Sequence, residues 1–485
     1  NAQASRHYDE VENGIKTCMY PGYPELYMQF SKENTFHFQP DWYRGIEYPK
    51  EQERGYDFNE DLYVPGYFEM EITKDHPVVF SGGISEIETA NLDQLFSEEA
   101  DRRTPRDNFK HCLINAAHQF LNKQGDESYV LAGYPWFKCR ARDMFISLPG
   151  LMLAINETDK FETVMDTASK AIYEFMKGEP ATLKVYEMEH PDVLLWAVWT
   201  IQQYAKMVSR DAARSKYGAL LKDIMTYLTE GKHPNLKVCD NGLVYAQGRD
   251  KAITWMNAMS NGRPVTPRTG YIVEFNTLWY NALMFAGELL GEGGDTEFAG
   301  TLTQLAEKAG KAFIDTFLNE YGYLLDYVDG DMMDWSVRPN MIFAAAFDYS
   351  PLNAKQKKGV VDIVTKELLT PKGLRSLSPK SGGYNPNYVG PQIQRDYAYH
   401  QGTAWPWLEG FYLEAYLRIY KRSTISFVER QMISFEDELS LHCVGSIPEL
   451  FDGNPPFRGR GAISFAMNVA QILRTLNLLE KYDNQ

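Results

Sequence analysis

The chain has 485 residues and a formal net charge of −16 at pH 7. An excess of carboxylates repels phosphate backbones and anionic lipid headgroups, so this charge argues against nucleic-acid and membrane partners and favours a neutral, polyhydroxylated ligand. No stretch approaches the roughly 18 consecutive apolar residues of a membrane helix, and no signal peptide is recognisable. The length predicts one large domain with a smaller appendage.

The five cysteines are scattered along the chain without Cys-x-x-Cys spacing. This pattern predicts reduced thiols and a cytoplasmic location, with neither a disulfide framework nor a zinc site. Aromatic residues make up 14% of the chain, including 31 Tyr and 9 Trp. Such an excess suits a carbohydrate cleft, because sugar C–H groups stack on aromatic faces, and it equally suits a densely packed helical core.

Residues 1–104 are rich in Tyr, Pro, Gly and Glu, and short runs at 67–72 and 77–80 predict strands. We therefore expect residues 1–104 to form the C-terminal part of a β-rich domain. From residue 105 to 485 the pattern changes to amphipathic segments of helical period separated by loops. The segments predicted as helices are 107–123, 143–155, 158–177, 191–208, 211–230, 271–290, 296–318, 337–347, 354–369, 402–421, 424–438 and 461–480.

Several of these segments carry residues that favour a helix start. The predicted caps are Asp107, Asn156, Ser209 and Ser423, and Pro191 is predicted in a first turn. About twelve helices without alternating strands argue against a (β/α) barrel, and a ring of helical hairpins is the natural closed solution. We therefore predict a mainly α fold, an (α/α)6 toroid, whose long loops at 231–270 and 370–401 build a cleft.

Two clusters of polar and aromatic residues precede predicted helices. The first contains Trp136, Arg142 and Asp143, in which Asp143 is either a helix N-cap or, with its two neighbours, a grip on a sugar. The second spans residues 253–280, and its Glu274 has an alternative role as a first-turn acid that suits the helix dipole. Its candidate sugar contacts are Trp255, Arg268, Glu274, Asn276 and Trp279.

Three further clusters lie in the C-terminal half of the chain. Asp334 opens the segment Asp-Trp-Ser-Val-Arg-Pro-Asn, and Glu449 and Asp452 lie in a Gly- and Pro-rich loop, where a carboxylate can activate water. Since glycoside hydrolysis needs one protonated and one ionised carboxyl group, these acids are candidates for catalysis or binding. The densest cluster lacks metal-ligand spacing around its histidine, so we predict no metal and no cofactor. Its members are Arg395, Asp396, His400, Gln401 and Trp405.

With these clusters, residues 105–480 resemble the glucosidase region of glycogen debranching enzymes, the amylo-α-1,6-glucosidase family. The resemblance implies an (α/α)6 toroid behind a β-rich domain, inversion at the anomeric carbon, and Glu449 as the base that deprotonates water. The motifs that carry it are Gly-Tyr-Pro-Trp-Phe from 133, Arg-Asp at 142–143, Thr-Trp-Met at 254–256, Thr-Pro-Arg at 266–268, Leu-Trp-Tyr-Asn-Ala-Leu at 278–283, Thr-Pro-Lys-Gly-Leu-Arg-Ser-Leu from 370, Arg-Asp-Tyr-Ala-Tyr-His-Gln-Gly-Thr-Ala-Trp-Pro-Trp from 395 and Glu-Leu-Phe-Asp-Gly from 449.

The chain departs from the family pattern at the acid. The family's acid follows Thr-Trp-Met, and Asn257 stands in that place. An amide does not donate a proton to a glycosidic oxygen as a carboxylic acid does. Three hypotheses follow: a deliberate Asp-to-Asn change, natural loss of hydrolytic activity, or an acid supplied from elsewhere, such as Asp250 or Glu274. The segments 137–143 and 458–467 also hold less Trp and Gly than the family pattern, which predicts different subsite details.

We therefore expect a glycoside hydrolase that removes single α-1,6-linked glucose stubs from glycogen or a related α-glucan, with activity impaired at Asn257. The expected partner is an α-glucan or branched oligosaccharide. Two alternatives stay open. One is another exo-glycosidase of the (α/α)6 class, such as a trehalase or glucoamylase relative, and the other is a catalytically impaired α-glucan-binding protein.

Overall fold

The computed structural model describes residues 4–483. The chain divides into two compact units between residues 105 and 106. Within the described residues, no helix is long and apolar enough to cross a bilayer. All five cysteines are free thiols.

The first unit is built from antiparallel strands. One four-stranded sheet has the order β1-β2-β3-β6, and β4 and β5 form a long hairpin in which His37 lies opposite Tyr67. The elements are β1 (Asp9–Val11), β2 (Gly14–Thr17), β3 (Leu26–Phe30), β4 (Thr35–Glu47), α1 (Pro49–Glu53), β5 (Asn59–Glu69), β6 (Phe80–Gly83), a 3₁₀ turn (Thr89–Asn91) and α2 (Leu92–Arg102).

The strands predicted at 67–72 and 77–80 are only partly correct. Strand β5 ends at Glu69, and β6 begins at Phe80, so residues 70–79 belong to neither strand. An isolated bridge between Thr73 and His76 encloses Asp75, whose φ of 63° is left-handed and turns the chain. Such a turn is incompatible with a continuous strand.

The second unit is helical. Its helices are α3 (Phe109–Gln119), α4 (Ala141–Leu151), α5 (Thr158–Lys177), α6 (Val193–Met207), α7 (Arg210–Thr229), α8 (Val273–Glu292), α9 (Thr296–Phe317), α10 (Ile342–Ala346), α11 (Ala354–Glu367), α12 (Gln392–Ala398), α13 (Pro406–Tyr420), α14 (Ile425–Ile433), α15 (Glu438–Leu441) and α16 (Ala466–Asp483). Short 3₁₀ turns occur at Leu153–Ile155, Pro339–Met341 and Lys421–Thr424.

Short strands join the loops at the helix ends. They are β7 (Leu121–Gln124), β8 (Glu127–Val130), β9 (Gly133–Tyr134), β10 (Lys237–Val238), β11 (Val244–Tyr245), β12 (Met259–Ser260), β13 (Arg263–Pro264), β14 (Tyr271–Ile272), β15 (Tyr327–Asp329), β16 (Met332–Met333), β17 (Leu369–Thr370), β18 (Gly373–Arg375), β19 (Ala404–Trp405), β20 (Leu450–Phe451), β21 (Gly459–Arg460) and β22 (Ser464–Phe465). The largest of their sheets has the order β17-β18-β19-β20-β21.

Six helices close into an inner ring. Helix α4 packs against α6, α6 against α8, α8 against α10, α10 against α13 and α13 against α16, and α16 returns to α4. Helices α3, α7, α9, α11 and α14 pack against this ring from outside, and Phe161 of α5 stacks on Tyr204 of α6. The predicted (α/α)6 toroid is confirmed.

The centre of the ring is filled by aromatic side chains. Trp196, Trp199, Phe343, Phe347 and Phe411 form edge-to-face and tilted ring contacts at centroid distances of 5.0 to 6.4 Å. These contacts favour burial of rings from facing helices. Many of the aromatic residues therefore build the helical core, which is one of the two interpretations of the aromatic content.

The predicted helix starts are correct in part. The Ser209 hydroxyl accepts the Ala212 N–H at 3.0 Å and caps α7 as predicted. Asn108 caps α3 in place of Asp107, whose carboxylate instead contacts the His111 ring. The other three predictions are wrong: Asn156 ends a 3₁₀ turn in the left-handed region, Ser423 lies within a 3₁₀ turn, and Pro191 precedes the Asp192 cap of α6.

Glu409 of α13 is a buried carboxyl whose ionisation opposes folding. It has no exposed surface, and among the described residues neither carboxyl oxygen has a hydrogen-bond partner. Burial holds the pKa of Glu409 well above its ordinary value, and the charge of Lys372 opposes this only in part. The folded chain therefore keeps the proton that the unfolded chain releases above the ordinary pKa, so the stabilisation is lost as pH rises.

We expect Glu409→Gln to raise the melting temperature at pH 8 relative to the unchanged chain, because an amide cannot ionise. The difference should shrink as pH falls toward 4, where both unfolded chains are neutral at this position. Thermal unfolding followed by circular dichroism across this range measures it. The matched control is Glu429→Gln on the exposed face of α14, and a pH-independent effect of Glu409→Gln would contradict the prediction.

Candidate active site

The sequence clusters meet at the amino-terminal ends of the inner helices. Asp143 lies in the first turn of α4, Asp192 caps α6, Glu274 lies in the first turn of α8, Asn340 precedes α10 and Trp405 precedes α13. Side-chain bonds between these helix starts, described below, place them at one end of the ring. Helix amino termini carry unpaired N–H groups and partial positive charge, so this end attracts carboxylates and polar oxygens.

Glu449 is held at the start of β20, an inner strand of the five-stranded sheet. It directly precedes β20, which pairs with β19 on one side and with β21 on the other. The Asn468 amide of α16 donates to the carbonyls of Pro448 at 2.6 Å and Glu449 at 2.8 Å. The Asn468 carbonyl accepts the Trp407 N–H at 3.0 Å. One side chain thus ties the Glu449 backbone to two inner helices.

The Glu449 carboxylate has two protein donors. The Tyr399 hydroxyl donates to Oε1, and the Ala462 N–H donates to Oε2 at 2.8 Å. Gly461 has a φ of 72°, and a Cβ there would lie 2.3 Å from Oε2, so only glycine permits this approach. Burial raises the pKa of Glu449 to about 7, although both hydrogen bonds stabilise the carboxylate.

Tyr399 and His400 connect the two positions that the family resemblance makes catalytic. Tyr399 bonds Glu449, and burial together with the Glu449 charge keeps the pKa of Tyr399 well above its ordinary value, so the hydroxyl stays protonated. The next residue, His400, accepts the Ala258 N–H at Nδ1 over 3.4 Å. Since Ala258 follows Asn257, two consecutive residues contact Glu449 and the loop that carries Asn257.

Asn257 lies half-buried on a tightly held loop. Its backbone N–H donates to the Trp255 carbonyl at 3.0 Å, and the Trp255 indole donates to Asn340 Oδ1 at 2.7 Å. Arg142 donates to the Ile253 carbonyl at 3.2 Å. Among the described residues, the Asn257 side-chain amide has no protein hydrogen-bond partner. It is therefore available to a ligand.

Asp143 is a second buried carboxylate near the helix starts, and a hydrogen bond from its own backbone N–H stabilises the charged form. Only 6% of the residue is exposed, and it lies at the start of α4. Burial raises the pKa of Asp143 to about 6, while the charges of Arg140 and Arg142 lower it. The predicted N-cap role is wrong, because Arg140 occupies the cap. The predicted sugar contact stays a prediction.

Arg142 holds neighbouring parts of the scaffold together. Its guanidinium makes a two-bond ion pair with Asp192 at 2.8 Å and also approaches His190 Nδ1 at 3.0 Å. Burial lowers the pKa of His190 to about 4, so the neutral ring accepts the N–H. With its remaining bond to the Ile253 carbonyl, Arg142 joins α4, α6 and the Asn257 loop. This use of its donors argues against the predicted direct sugar contact.

Trp255, His400 and Trp405 form an aromatic wall. His400 stacks on Trp405 with centroids 5.4 Å apart and meets Trp255 edge-on at 5.2 Å. Trp255 also meets Trp405 and Trp407 edge-on at 5.3 Å. Burial holds the pKa of His400 well below its ordinary value, so this ring is a neutral acceptor. The wall is rigid and apolar, as a sugar-binding pocket requires.

A buried ionic network supports the wall from behind. Arg268 bonds both oxygens of Glu274 and both oxygens of Asp326. Asp326 also accepts from Asn340 at 2.8 Å, which links the network to Trp255. Burial opposes the Arg268 charge, but the adjacent carboxylates outweigh it and raise the pKa of Arg268. The hypothesis that Glu274 is a substitute acid is wrong, because its carboxylate is occupied by Arg268.

The remaining candidates inside the wall also hold loops. Asn276 exchanges hydrogen bonds with the Val244 backbone, and the Trp279 indole donates to the Gly242 carbonyl at 3.0 Å. Both side chains are buried and use their polar groups on the backbone, and their predicted sugar contacts stay predictions. The other substitute acid, Asp250, is exposed.

The C-terminal clusters stabilise the loop over residues 384–395. Arg395 donates to the Gly390 carbonyl at 2.8 Å, and Asp452 accepts the Tyr388 N–H at 2.8 Å. Asp452 Oδ2 also accepts from Arg460 Nε at 3.0 Å and forms an ion pair with Arg460 Nη2 at 3.0 Å. Gln401 accepts from Arg338 at 2.9 Å. These bonds give Arg395, Gln401 and Asp452 a role in holding the loop, and their predicted sugar contacts stay predictions.

Three candidates stand outside the buried scaffold. Asp334 is half-buried and accepts the Ser336 N–H at 2.9 Å, as in a local turn. Trp136 is 45% exposed and meets Phe137 edge-on. Asp396 is half-buried, and burial raises its pKa. Their sugar-binding roles stay predictions.

Sequence reasoning missed several residues that the site depends on. Tyr399 lies inside a family motif, and Asn340 closes the segment that Asp334 opens, yet neither is among the sequence candidates. Arg140 and Asp192 stand directly before helices, whereas Asp326 precedes strand β15. Buried groups at the start of an apolar helix are the type of residue that such a search should include. Within residues 4–483, no group of three or more His, Cys, Asp and Glu side chains is arranged to hold a metal ion.

We expect Arg268→Met to lower the free energy of unfolding by about 3 to 5 kcal/mol, because it leaves two buried carboxylates without their cation. Urea denaturation measures the change. The matched control is Arg249→Met, which removes a 64% exposed arginine from its pair with Asp329 and should cost less than about 1 kcal/mol. Equal effects of the two substitutions would contradict the prediction.

Two family models match the chain. Residues 115–474 match the family described as amylo-alpha-1,6-glucosidase, and residues 1–79 match the glycogen debranching enzyme N-terminal family. The glycogen debranching enzyme of Saccharomyces cerevisiae is 28% identical over 219 residues, which cover 36% of this chain and 14% of the yeast protein. The chain thus spans only a small part of that relative.

Solved structures with the same fold include a bacterial glucoamylase complexed with acarbose, at 12% identity and a TM-score of 0.57 over 97% of this chain and 73% of that chain. A mannosylglycerate hydrolase from Thermus thermophilus gives 12% identity and a TM-score of 0.52, over 76% of this chain and 99% of that chain. At this identity the likeness concerns the fold alone. The match over residues 115–474 covers most of the chain, and the chain therefore belongs to the amylo-α-1,6-glucosidase family of glycoside hydrolases.

Proposed function

We propose that this glycoside hydrolase removes single α-1,6-linked glucose stubs from an α-glucan with inversion. The observation that supports the proposal is that the consecutive residues Tyr399 and His400 bond Glu449 and the backbone next to Asn257. Glu449 supplies the base of an inverting mechanism, and Asn257 occupies the place of the acid. The negative net charge of the chain is compatible with a neutral glucan.

Glu449 takes a proton from the water that attacks the anomeric carbon. Its pKa of about 7 means that a large fraction is ionised at neutral pH while the group remains basic enough to accept a proton. Tyr399 and Ala462 donate to different oxygens of this carboxylate and so restrict its rotation. Asp143, which lies in the first turn of α4, accepts hydrogen bonds from hydroxyls of the bound glucose.

Departure of the leaving group is the slow part of this mechanism. As the bond between the anomeric carbon and the glycosidic oxygen breaks, the oxygen gains negative charge. The Asn257 amide donates a hydrogen bond to it without transferring a proton, which then comes from solvent. Because a general acid contributes about 10²- to 10⁴-fold in rate, we propose weak turnover.

The second candidate function is glucan binding without hydrolysis, and Asn257 is the observation that favours it. A chain that keeps the pocket and the aromatic wall but lacks a proton donor retains affinity while losing the rate. This candidate predicts saturable binding of maltooligosaccharides and no release of glucose. A substitute acid at Glu274 is not part of either candidate, since Arg268 holds that carboxylate.

The test is glucose release from a limit dextrin that bears single α-1,6 glucosyl stubs. We expect Asn257→Asp to raise the rate by about 10²- to 10⁴-fold, because it restores a proton donor. Glu449→Gln in the Asn257→Asp chain should abolish release. No glucose from either the unchanged or the Asn257→Asp chain would reject hydrolysis and leave the binding function.

The pH dependence tests the role of Tyr399. Activity requires ionised Glu449, so in the Asn257→Asp chain kcat/KM should rise with pH through the pKa of about 7. Tyr399→Phe removes a hydrogen bond that stabilises the carboxylate, so the pKa of Glu449 should increase and the rising limb should move to higher pH.

The matched control is Tyr412→Phe, which removes another buried hydroxyl, bonded to Thr365 at 2.8 Å. Its profile should coincide with that of the Asn257→Asp parent. If the rise of kcat/KM with pH does not shift in Tyr399→Phe, or shifts equally in both variants, the Tyr399 hydrogen bond does not set the pKa of Glu449.

A further inference from the structure

An exposed patch of aromatic and methionine side chains lies on the loop between α9 and α10. Tyr321 is 73% exposed, Met332 51%, Met333 50% and Trp335 42%. Exposed large apolar groups on a soluble protein mark interaction sites when they are contiguous. We call these four residues the aromatic rim.

The rings of the rim are held in place. Tyr321 and Trp335 meet edge-on with centroids 6.3 Å apart, and Tyr321 stacks on Tyr323 at 6.4 Å. The Tyr323 hydroxyl donates to the Trp335 carbonyl at 3.4 Å. Rings that are ordered before binding lose little conformational entropy when a ligand stacks on them.

The rim is anchored to the candidate active site at both ends of its hairpin. Before β15, Asp326 belongs to the Arg268 network; after Trp335, Arg338 donates to the carbonyls of Ser376 and His400 at 3.1 and 2.9 Å. In the middle, Asp329 accepts from Arg249 at 3.1 Å, on the loop that leads to Asn257. The hairpin that carries the rim is therefore bonded to the loop that leads to Asn257 and to the backbone of His400.

The position of the aromatic rim indicates which ligand binds it. On the proposed function, the Asn257 side faces the glycosidic oxygen and so the glucan chain that carries the stub. A glucan chain offers C–H faces to aromatic rings and hydroxyls to acceptors. The rim presents both kinds of group, since the half-buried carboxylate of Asp334 and the exposed one of Asp331 flank its rings. A nucleic acid or other polyanion is disfavoured by the same carboxylates.

We propose that the aromatic rim binds the α-glucan main chain beyond the cleaved bond, with Trp335 as the principal stacking platform. The inference rests on the proposed function for its orientation, and it adds a binding surface outside the catalytic pocket. It makes long or branched glucans better ligands than isomaltose, which fills the pocket but does not reach the rim.

The test is binding, which needs no turnover. Maltoheptaose and glycogen are titrated against the unchanged full chain, Trp335→Ala and Trp335→Phe, by calorimetry for maltoheptaose and by affinity electrophoresis for glycogen. We expect Trp335→Ala to weaken binding roughly 3- to 10-fold, the usual worth of one stacking ring. Trp335→Phe should restore most of it. The control is Ile433→Ala, which removes a 60% exposed side chain from α14.

Kinetic measurements on the Asn257→Asp chain distinguish binding at the rim from catalysis in the pocket. Trp335→Ala should raise KM for the limit dextrin with little change in kcat, and it should leave isomaltose hydrolysis unaltered. Unchanged affinity of Trp335→Ala for both glucans would overturn the proposal, as would an equal loss in Ile433→Ala. If Asn257→Asp releases no glucose while Trp335→Ala still loses glucan affinity, the proposed hydrolysis fails and the rim stands as a glucan-binding surface.

Discussion

Closure of the inner helical ring brings the amino-terminal ends of its helices to one place, and the site depends on this constraint. Unpaired N–H groups and the positive ends of the helix dipoles make that end favourable for carboxylates. Asp143, Asp192 and Glu274 all occupy first turns or caps there. Two of these acids are neutralised by arginines, Asp192 by Arg142 and Glu274 by Arg268. Asp143 has no such ion pair within the described residues, and burial raises its pKa to about 6.

The two kinds of carboxylate differ in what surrounds them. Glu274 and Asp326 share one guanidinium, which fixes the loops behind Trp255 and removes both acids from chemistry. The donors to the Glu449 carboxylate, Tyr399 and Ala462, are neutral and offset burial only in part, so the pKa of Glu449 rises to about 7. A neutral hydrogen bond orients the carboxylate while leaving it basic. This contrast distinguishes a structural acid from a candidate base in the same fold.

The aromatic residues fall into three groups with different physical roles. Trp196, Phe343 and Phe411 fill the ring interior, where they exclude water from the helix contacts. Trp255 and Trp405 form a wall whose polar atoms are satisfied within the protein. Trp335 stays exposed on a hairpin anchored to the same network. Composition alone gives only the sum of these groups, which explains why it supports both a core and a cleft.

The sequence by itself determined the order and period of the helices, and through them the toroid, because amphipathic periodicity depends on neighbours within a few residues. It also identified the family and placed Glu449 and Asn257 in matching motifs. Local signals were less reliable at helix ends. Asn108 caps α3 although the adjacent Asp107 also fits the pattern, because a shift of one residue in the helix start changes which side chain reaches the free N–H.

Only the tertiary structure decided which motif residues face the pocket and which support it. Arg268 meets an Asp326 that is 58 residues away, and Tyr399 meets a Glu449 that is 50 residues away. No local pattern encodes such pairs, because they form only when the ring closes and brings distant loops together. For the same reason Trp279 and Asn276 resemble sugar contacts in the sequence, yet their polar groups are occupied by the backbone of residues 242–244. The chemistry of a side chain is local, whereas its burial and its partner are properties of the whole fold.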